Sequence, residues 1–276
     1  MDINKSVSEA LKNVKAKNPL VHHITNYVTV NDCANVVLAI GGSPVMADDI
    51  SEVEDMVSIA SSLVLNIGTL NSRTIESMIK AGKKANELKI PVILDPVGAG
   101  ATPFRTETAL KIINSVKLAV IRGNSSEIKT ISGITAKTKG VDAGKETLSK
   151  EEALKLGKNV AEELSEKLGS VIAITGKTDI VSYKNKTYFI ENGHKMLSKI
   201  TGTGCMCTSL IGSYLGANEN YHLSAIAGIV SMGIAGELAY NIISKRHGGS
   251  GNFKIELLDA IYNLSSSNII DRAQIR

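Results

Sequence analysis

The sequence predicts an α/β protein with a mostly parallel central sheet, and three observations predict it. Short β-branched runs alternate with helical segments, as βαβ units do when read along a chain. Four of those runs, residues 64–67, 92–95, 118–121 and 171–174, are almost continuously apolar, the pattern of strands buried on both faces. Three of them lead directly into polar turns, where open parallel sheets place their ligand sites. Those turns are Asp95-Pro96-Val97-Gly98-Ala99-Gly100, Arg122-Gly123-Asn124-Ser125-Ser126-Glu127 and Thr175-Gly176-Lys177-Thr178-Asp179.

The elements follow in order. Met1-Asp2-Ile3-Asn4-Lys5 opens a polar, mixed-charge helix with no signal-peptide character. A helix carrying Cys33 ends at Gly41-Gly42, and a short strand after it ends at Met46. The apolar runs at 64–67, 92–95 and 118–121 come next, separated by amphipathic helices. Residues 137–145, with glycine and mixed charge, are the one linker-like stretch. Ser149 with Glu152 three residues on makes a capping box for a helix that stops at Gly169. After the strand at 171–174, residues 179–190 alternate around Lys184-Asn185-Lys186, an antiparallel hairpin added to the parallel strands. From Gly204 onward three helices are expected, the middle one rich in Ala, Gly and Ile and therefore buried. No internal repeat is visible, so residues 1–276 are expected to form a single domain.

Composition narrows the function classes. Hydrophobic residues make up 43% and charged residues 21% of 276, which excludes a disordered or fibrous chain. The 31 Lys and Arg exceed the 27 Asp and Glu by four, with no basic run, and aromatics are 4% with no Trp. A nucleic-acid partner is therefore not expected. Three cysteines do not make a disulfide framework and fit a reducing, cytoplasmic setting. The longest apolar run, residues 225–235, falls short of the ~20 residues of a membrane span.

Two nucleotide motifs fail on inspection. Gly98-Ala99-Gly100 has Pro103 where a dinucleotide fingerprint needs its third glycine. Gly176-Lys177-Thr178 has Val171 where a P-loop needs its first glycine, and a hairpin follows it instead of a helix. Thr201-Gly202-Thr203-Gly204-Cys205 is more informative: its glycines leave backbone N–H groups unobstructed at a helix N-terminus, an anion hole in one reading and a tight packing turn in the other. Cys205 lies at that helix entrance, where its pKa is expected to fall, while Cys207 points to another face. Cys-x-Cys on a helix and the neighbours His22-His23 diverge, which disfavours zinc. Asp95 and Glu127, after neighbouring strands, suit either a magnesium ion beside phosphates or a loop cap and a first-turn helix acid. Met46 suits either the core or a polarizable contact to a heteroaromatic ring.

Taken together, Asn18-Pro19-Leu20-Val21-His22-His23-Ile24-Thr25-Asn26, Gly41-Gly42-Ser43-Pro44-Val45-Met46, Asp95-Pro96-Val97-Gly98-Ala99-Gly100, Arg122-Gly123-Asn124-Ser125-Ser126-Glu127 and Gly202-Thr203-Gly204-Cys205 resemble the hydroxyethylthiazole kinases in order and spacing, over nearly the whole chain. The resemblance implies a ribokinase-like three-layer fold. It implies ATP- and magnesium-dependent phosphorylation of 4-methyl-5-(2-hydroxyethyl)thiazole in thiamine synthesis and salvage, by a homotrimer with sites between subunits. By matching position it also implies that Met46 and Gly202 contact the thiazole alcohol and that Arg122 and Thr175 contact ATP. Asp95 and Glu127 would hold magnesium or its waters, and Cys205 would meet the reacting hydroxyl. Wider ribokinase-like kinases carry Asp where this chain has Cys205. A sister hydroxymethylpyrimidine kinase, a lyase repairing hydrated nicotinamide cofactors and a non-catalytic thiazole-binding protein are the alternatives.

Overall fold

The computed structural model describes residues 2–133 and 149–276; the linker-like stretch at 137–145 lies outside the described residues. Among them, eight strands form one sheet in the order β2-β1-β3-β4-β5-β6-β7-β8. The strands are β1 (Leu20–Ile24), β2 (Ser43–Met46), β3 (Ser62–Asn66), β4 (Val92–Asp95), β5 (Val120–Asn124), β6 (Val171–Thr175), β7 (Asp179–Tyr183) and β8 (Lys186–Ile190). From β2 to β6 all neighbours run parallel, and β7 and β8 add the antiparallel hairpin.

Period-two alternation explains why the apolar runs need cover on both faces. Val21, Val64, Ile93 and Val120 pack on one side, under α1 (Ile3–Lys17), α2 (Val30–Ile40), α8 (Thr203–Ala217), α9 (Tyr221–Ser244) and α10 (Ser250–Tyr262). Leu63, Leu65, Leu94 and Ile121 pack on the other. That second face is covered by α3 (Val53–Ile59), α4 (Ser72–Glu87), α5 (Pro103–Ser115), α6 (Ser125–Ser132) and α7 (Lys150–Leu168). The result is a three-layer α/β/α sandwich.

Local signals set several boundaries. Ser149 and Glu152 close the expected capping box on α7, and Gly169 ends that helix at φ 64°. Gly41 ends α2 at φ 103°. Three boundaries differ from the sequence reading. β5 continues to Asn124, because Arg122 and Asn124 pair in register with Ala173 and Thr175 of β6; Arg122 therefore lies within a strand and not in the turn after it. Four helices, not three, follow the glycine turn, since a capping box at Ser265 and Asn268 starts α11 (Ser266–Arg272). The apolar run at 225–235 is the middle of a 24-residue helix, α9, long and apolar enough by length and composition to cross a membrane. Here it is packed inside the protein, with Ser224 through Gly236 all buried.

The chain moves from β1 outward to β2 and then back across β1 to β3. Connections thus reverse direction between β1 and β3, and such a switch point opens a crevice at the carboxyl ends of the strands.

Candidate active site

At that crevice the carboxyl ends of β1, β3, β4 and β5 carry one continuous polar network. Asn66 and Asp95 end adjacent strands in register, and the Asn66 amide donates to Asp95 Oδ2 at 3.1 Å. Thr208, on α8, donates to the same oxygen at 2.7 Å. Arg122 Nη1 lies 3.5 Å from it, and Arg122 Nη2 donates to Thr175 Oγ1. On the other side, Asn26 Nδ2 donates to Asn66 Oδ1 at 3.0 Å and lies 3.4 Å from Cys205 Sγ. Asn26 Oδ1 accepts from the Thr29 backbone and hydroxyl. Cys205, Asp95, Arg122 and Thr175 are thereby joined through buried side chains.

Burial dominates the electrostatics here. Asp95 is fully buried, which raises its carboxyl above the usual carboxylate range, against the pull of Arg122 and Thr208. Burial likewise pushes the Cys205 thiol up, Asp95 adds to that, and hydrogen bonds from Thr29, Asn66 and Asn26 only partly oppose it. The expected fall in its pKa at a helix entrance does not occur, because desolvation and a neighbouring carboxylate outweigh the helix dipole. Cys207 faces away from Cys205 but lines the cavity beside Arg122, and its thiol is pushed up to about 12 by burial. His22 and His23 are buried; His22 Nε2 donates to the Ala47 carbonyl and His23 Nδ1 to the Val21 carbonyl, with His23 Nε2 3.1 Å from the Ser209 hydroxyl.

A cavity of about 780 Å³ opens beside the network, within the size range of small-ligand sites. Arg122, Thr175, Lys177, Asp179, Thr203 and Gly204 line one side, and the segment after β8 lines the other, contributing Lys195 among others. Three cationic side chains and the start of α8 thus border one cavity, a setting for polyphosphate. Gly202 sits at φ 88°, and a Cβ there would come 2.6 Å from Thr29 Cγ2. The glycine turn therefore depends both on left-handed backbone and on bare space.

Glu127 shows the helix-capping role in full. Its Oε2 accepts from the Asn124 N–H at 2.8 Å, the return arm of a capping box, and its Oε1 accepts from the Gly98 N–H at 2.8 Å. Each oxygen keeps a further lone pair. Asp95 Oδ1 is buried without a partner. Among the described residues no group of three or more His, Cys, Asp or Glu could form a metal cage. This donor set fits a magnesium ion that arrives with phosphates and keeps most of its waters, as magnesium does, and does not fit a dedicated protein cage.

Met46 stands apart. It ends β2, the edge strand, half-buried and in register with His23 of β1. Sequence reasoning missed Asn66 and Thr208 and gave Asn26 no role. An asparagine closing an apolar strand and a threonine one turn past Gly204 were the available signals.

A sheet with a polar switch-point network, a cationic cavity and an unobstructed helix N-terminus defines a phosphotransferase of ribokinase-like fold, acting on a small-molecule hydroxyl. A pyridoxal kinase of Bacillus subtilis, solved as an ADP complex, shares this fold at 13% identity, with a TM-score of 0.57 over 78% of this chain and 90% of that one. A model of the hydroxyethylthiazole kinase family matches residues 11–267. A hydroxyethylthiazole kinase of Clostridium tetani is 57% identical over 277 aligned positions, covering 100% of this chain and 99% of that protein. The solved hydroxyethylthiazole kinase of Pyrococcus horikoshii is 38% identical, with a TM-score of 0.88 and coverage of 99% and 98%. The chain belongs to the hydroxyethylthiazole kinase family.

Proposed function

We propose that this chain, acting as a single kinase domain, transfers the γ-phosphoryl group of ATP to the hydroxyl of 4-methyl-5-(2-hydroxyethyl)thiazole, in thiamine synthesis and salvage. The observation that carries the reading is the network joining Cys205 to Asp95, Arg122 and Thr175 at the mouth of a cavity bordered by cations, in a chain of this family.

Phosphoryl transfer has a loose transition state, so positioning and charge stabilisation matter more than covalent chemistry. Arg122 and Thr175 face the nucleotide, with Arg122 held in place by Asp95 and ready to offset charge on the moving group. The amides after Gly202 would face the same charge, and Gly202, with Thr29 packed against its bare Cα, would meet the acceptor alcohol through its backbone. Magnesium bound with the nucleotide would supply charge neutralisation at the phosphates. Asp95 and Glu127 would reach its waters, which suits lone pairs left over after their protein hydrogen bonds. Cys205 meets the acceptor hydroxyl as a neutral thiol, whose part is to orient that group more than to take its proton. Met46, with exposed Tyr27 and Val28 just past the end of β1, suits a thiazole site completed at a subunit boundary, in a homotrimer.

The test is ADP formation with ATP, magnesium and, in turn, the thiazole alcohol, hydroxymethylpyrimidine and hydrated NADH. Turnover confined to the thiazole alcohol supports the proposal. Preference for either of the others, or none for any, would remove it.

A further inference from the structure

The wall of the cavity opposite Arg122 is a short segment after β8, from Glu191 to the 3-10 helix Lys195–Lys199. Past the pairing of Glu191 with Gln274, one buried side chain and the helix beneath hold it there. Asn192 is 6% exposed, and both the nitrogen and the oxygen of its amide are hydrogen-bonded. Its Nδ2 donates to Glu237 Oε1 at 3.1 Å and to the Arg272 carbonyl at 2.9 Å. Its Oδ1 accepts from the Gln274 N–H at 2.8 Å. Glu237 Oε1 also accepts from the Gly193 N–H at 2.8 Å. The helix surface next to Glu237 is bare: a Cβ on Gly233 would come 2.7 Å from Asn192, and one on Gly236 would come 2.9 Å from Leu197. The Leu197 carbonyl in turn accepts from the Thr203 hydroxyl at the start of α8. The last residues of the chain complete the arrangement, pairing with β8 through Phe189 and Arg276 and through Glu191 and Gln274.

We propose that Glu237 and the C-terminal tail are positioning groups for the nucleotide: through Asn192 and Gly193 they fix the cavity wall against the glycine turn, without touching the ligand. The nucleotide role of the cavity rests on the function proposed above. A wall held by hydrogen bonds to one carboxylate and one tail moves when either is lost, and misplacement of a binding wall weakens the ligand it shapes.

The test is equilibrium binding of a fluorescent ATP analogue, with KM values measured alongside. Glu237→Ala should weaken nucleotide binding roughly tenfold, the scale of one or two lost hydrogen bonds, while KM for the thiazole alcohol changes less than twofold. Glu237→Gln, whose amide oxygen still accepts from Asn192 and Gly193, should bind as wild type does. A chain ending at Arg272 should match Glu237→Ala, and the two changes together should add little, since both act through Asn192. The truncation also carries the test should Glu237→Ala fail to fold. Nucleotide affinity within twofold of wild type in the folded variants, or equal weakening by Gln and Ala, would overturn the inference. Because binding is read without turnover, a protein that holds nucleotide but leaves the thiazole alcohol untouched would sink the proposed function and leave this inference standing.

Discussion

The guanidinium of Arg122 lies against the bare backbone of Gly204: a Cβ at position 204 would come 2.7 Å from Nη1 and 3.1 Å from Nη2. The same guanidinium reaches Asp95 and Thr175. An absent side chain on α8 thus sets where a buried cation sits at the end of the sheet.

Gly204→Ala is expected to show this. Alanine favours a helix over glycine by up to about 1 kcal/mol, so the unfolding midpoint should hold or fall only slightly. The methyl group displaces Arg122 from Asp95, and turnover should drop by about 10²- to 10³-fold, the scale of a lost charge-stabilising contact. Unchanged turnover would mean that Arg122 does not act from this position.

Gly202→Ala should cost both activity and stability. The left-handed backbone at φ 88° penalises a side chain by roughly 1–2 kcal/mol, and the contact with Thr29 adds to that. Gly202→Val should be worse on both counts. Thermal unfolding measured beside turnover checks this: a larger fractional loss of turnover than the shift in folded population can explain is the expected result.

Acid should destabilise the protein through His23. Burial holds that imidazole down to about 4, from 6.5. Its contribution is fully present above pH 6.5 and is lost as pH falls toward 4, because the unfolded chain then binds the proton more readily. Asp179 has the opposite sign. Burial raises it to about 6, from 3.8, so its ionisation costs stability above pH 6 and the cost disappears on acidification. Asp179→Asn should therefore be more stable than wild type at pH 7.5, by on the order of 2 kcal/mol, with the gap roughly halved at pH 5 and closed only below about pH 4. Unfolding midpoints at the two pH values, for wild type and variant, decide it.

The sheet was legible in the sequence because buried parallel strands leave continuous apolar runs, and the capping box of Ser149 and Glu152 needed only four residues to be seen. The end of β5 was not, because Arg122 and Asn124 look like a turn until pairing with Ala173 and Thr175 holds them extended. The place of Cys205 in the first turn of α8 was legible and the rise in its pKa was not, since a helix entrance is visible in sequence but burial beside Asp95 is not. The clamp on Asn192 left no local trace: its partners lie 45 and 80 residues away.

The central claim is that positioning and charge at the start of α8, and not chemistry at the Cys205 sulfur, carry phosphoryl transfer. With the thiol held neutral by burial, Cys205→Ala should slow turnover by a modest factor, of order 10 to 10². Cys205→Asp offers Asn26 an acceptor in the same place and should be at least as active as Cys205→Ala and comparable to wild type. The decisive measurement is kcat for these three proteins at saturating ATP and thiazole alcohol, with mass spectrometry of the wild-type chain during turnover. Modest loss in Ala, retained activity in Asp and an unmodified cysteine are the predicted results; an inactive Asp variant or a phosphocysteine at 205 would contradict the account.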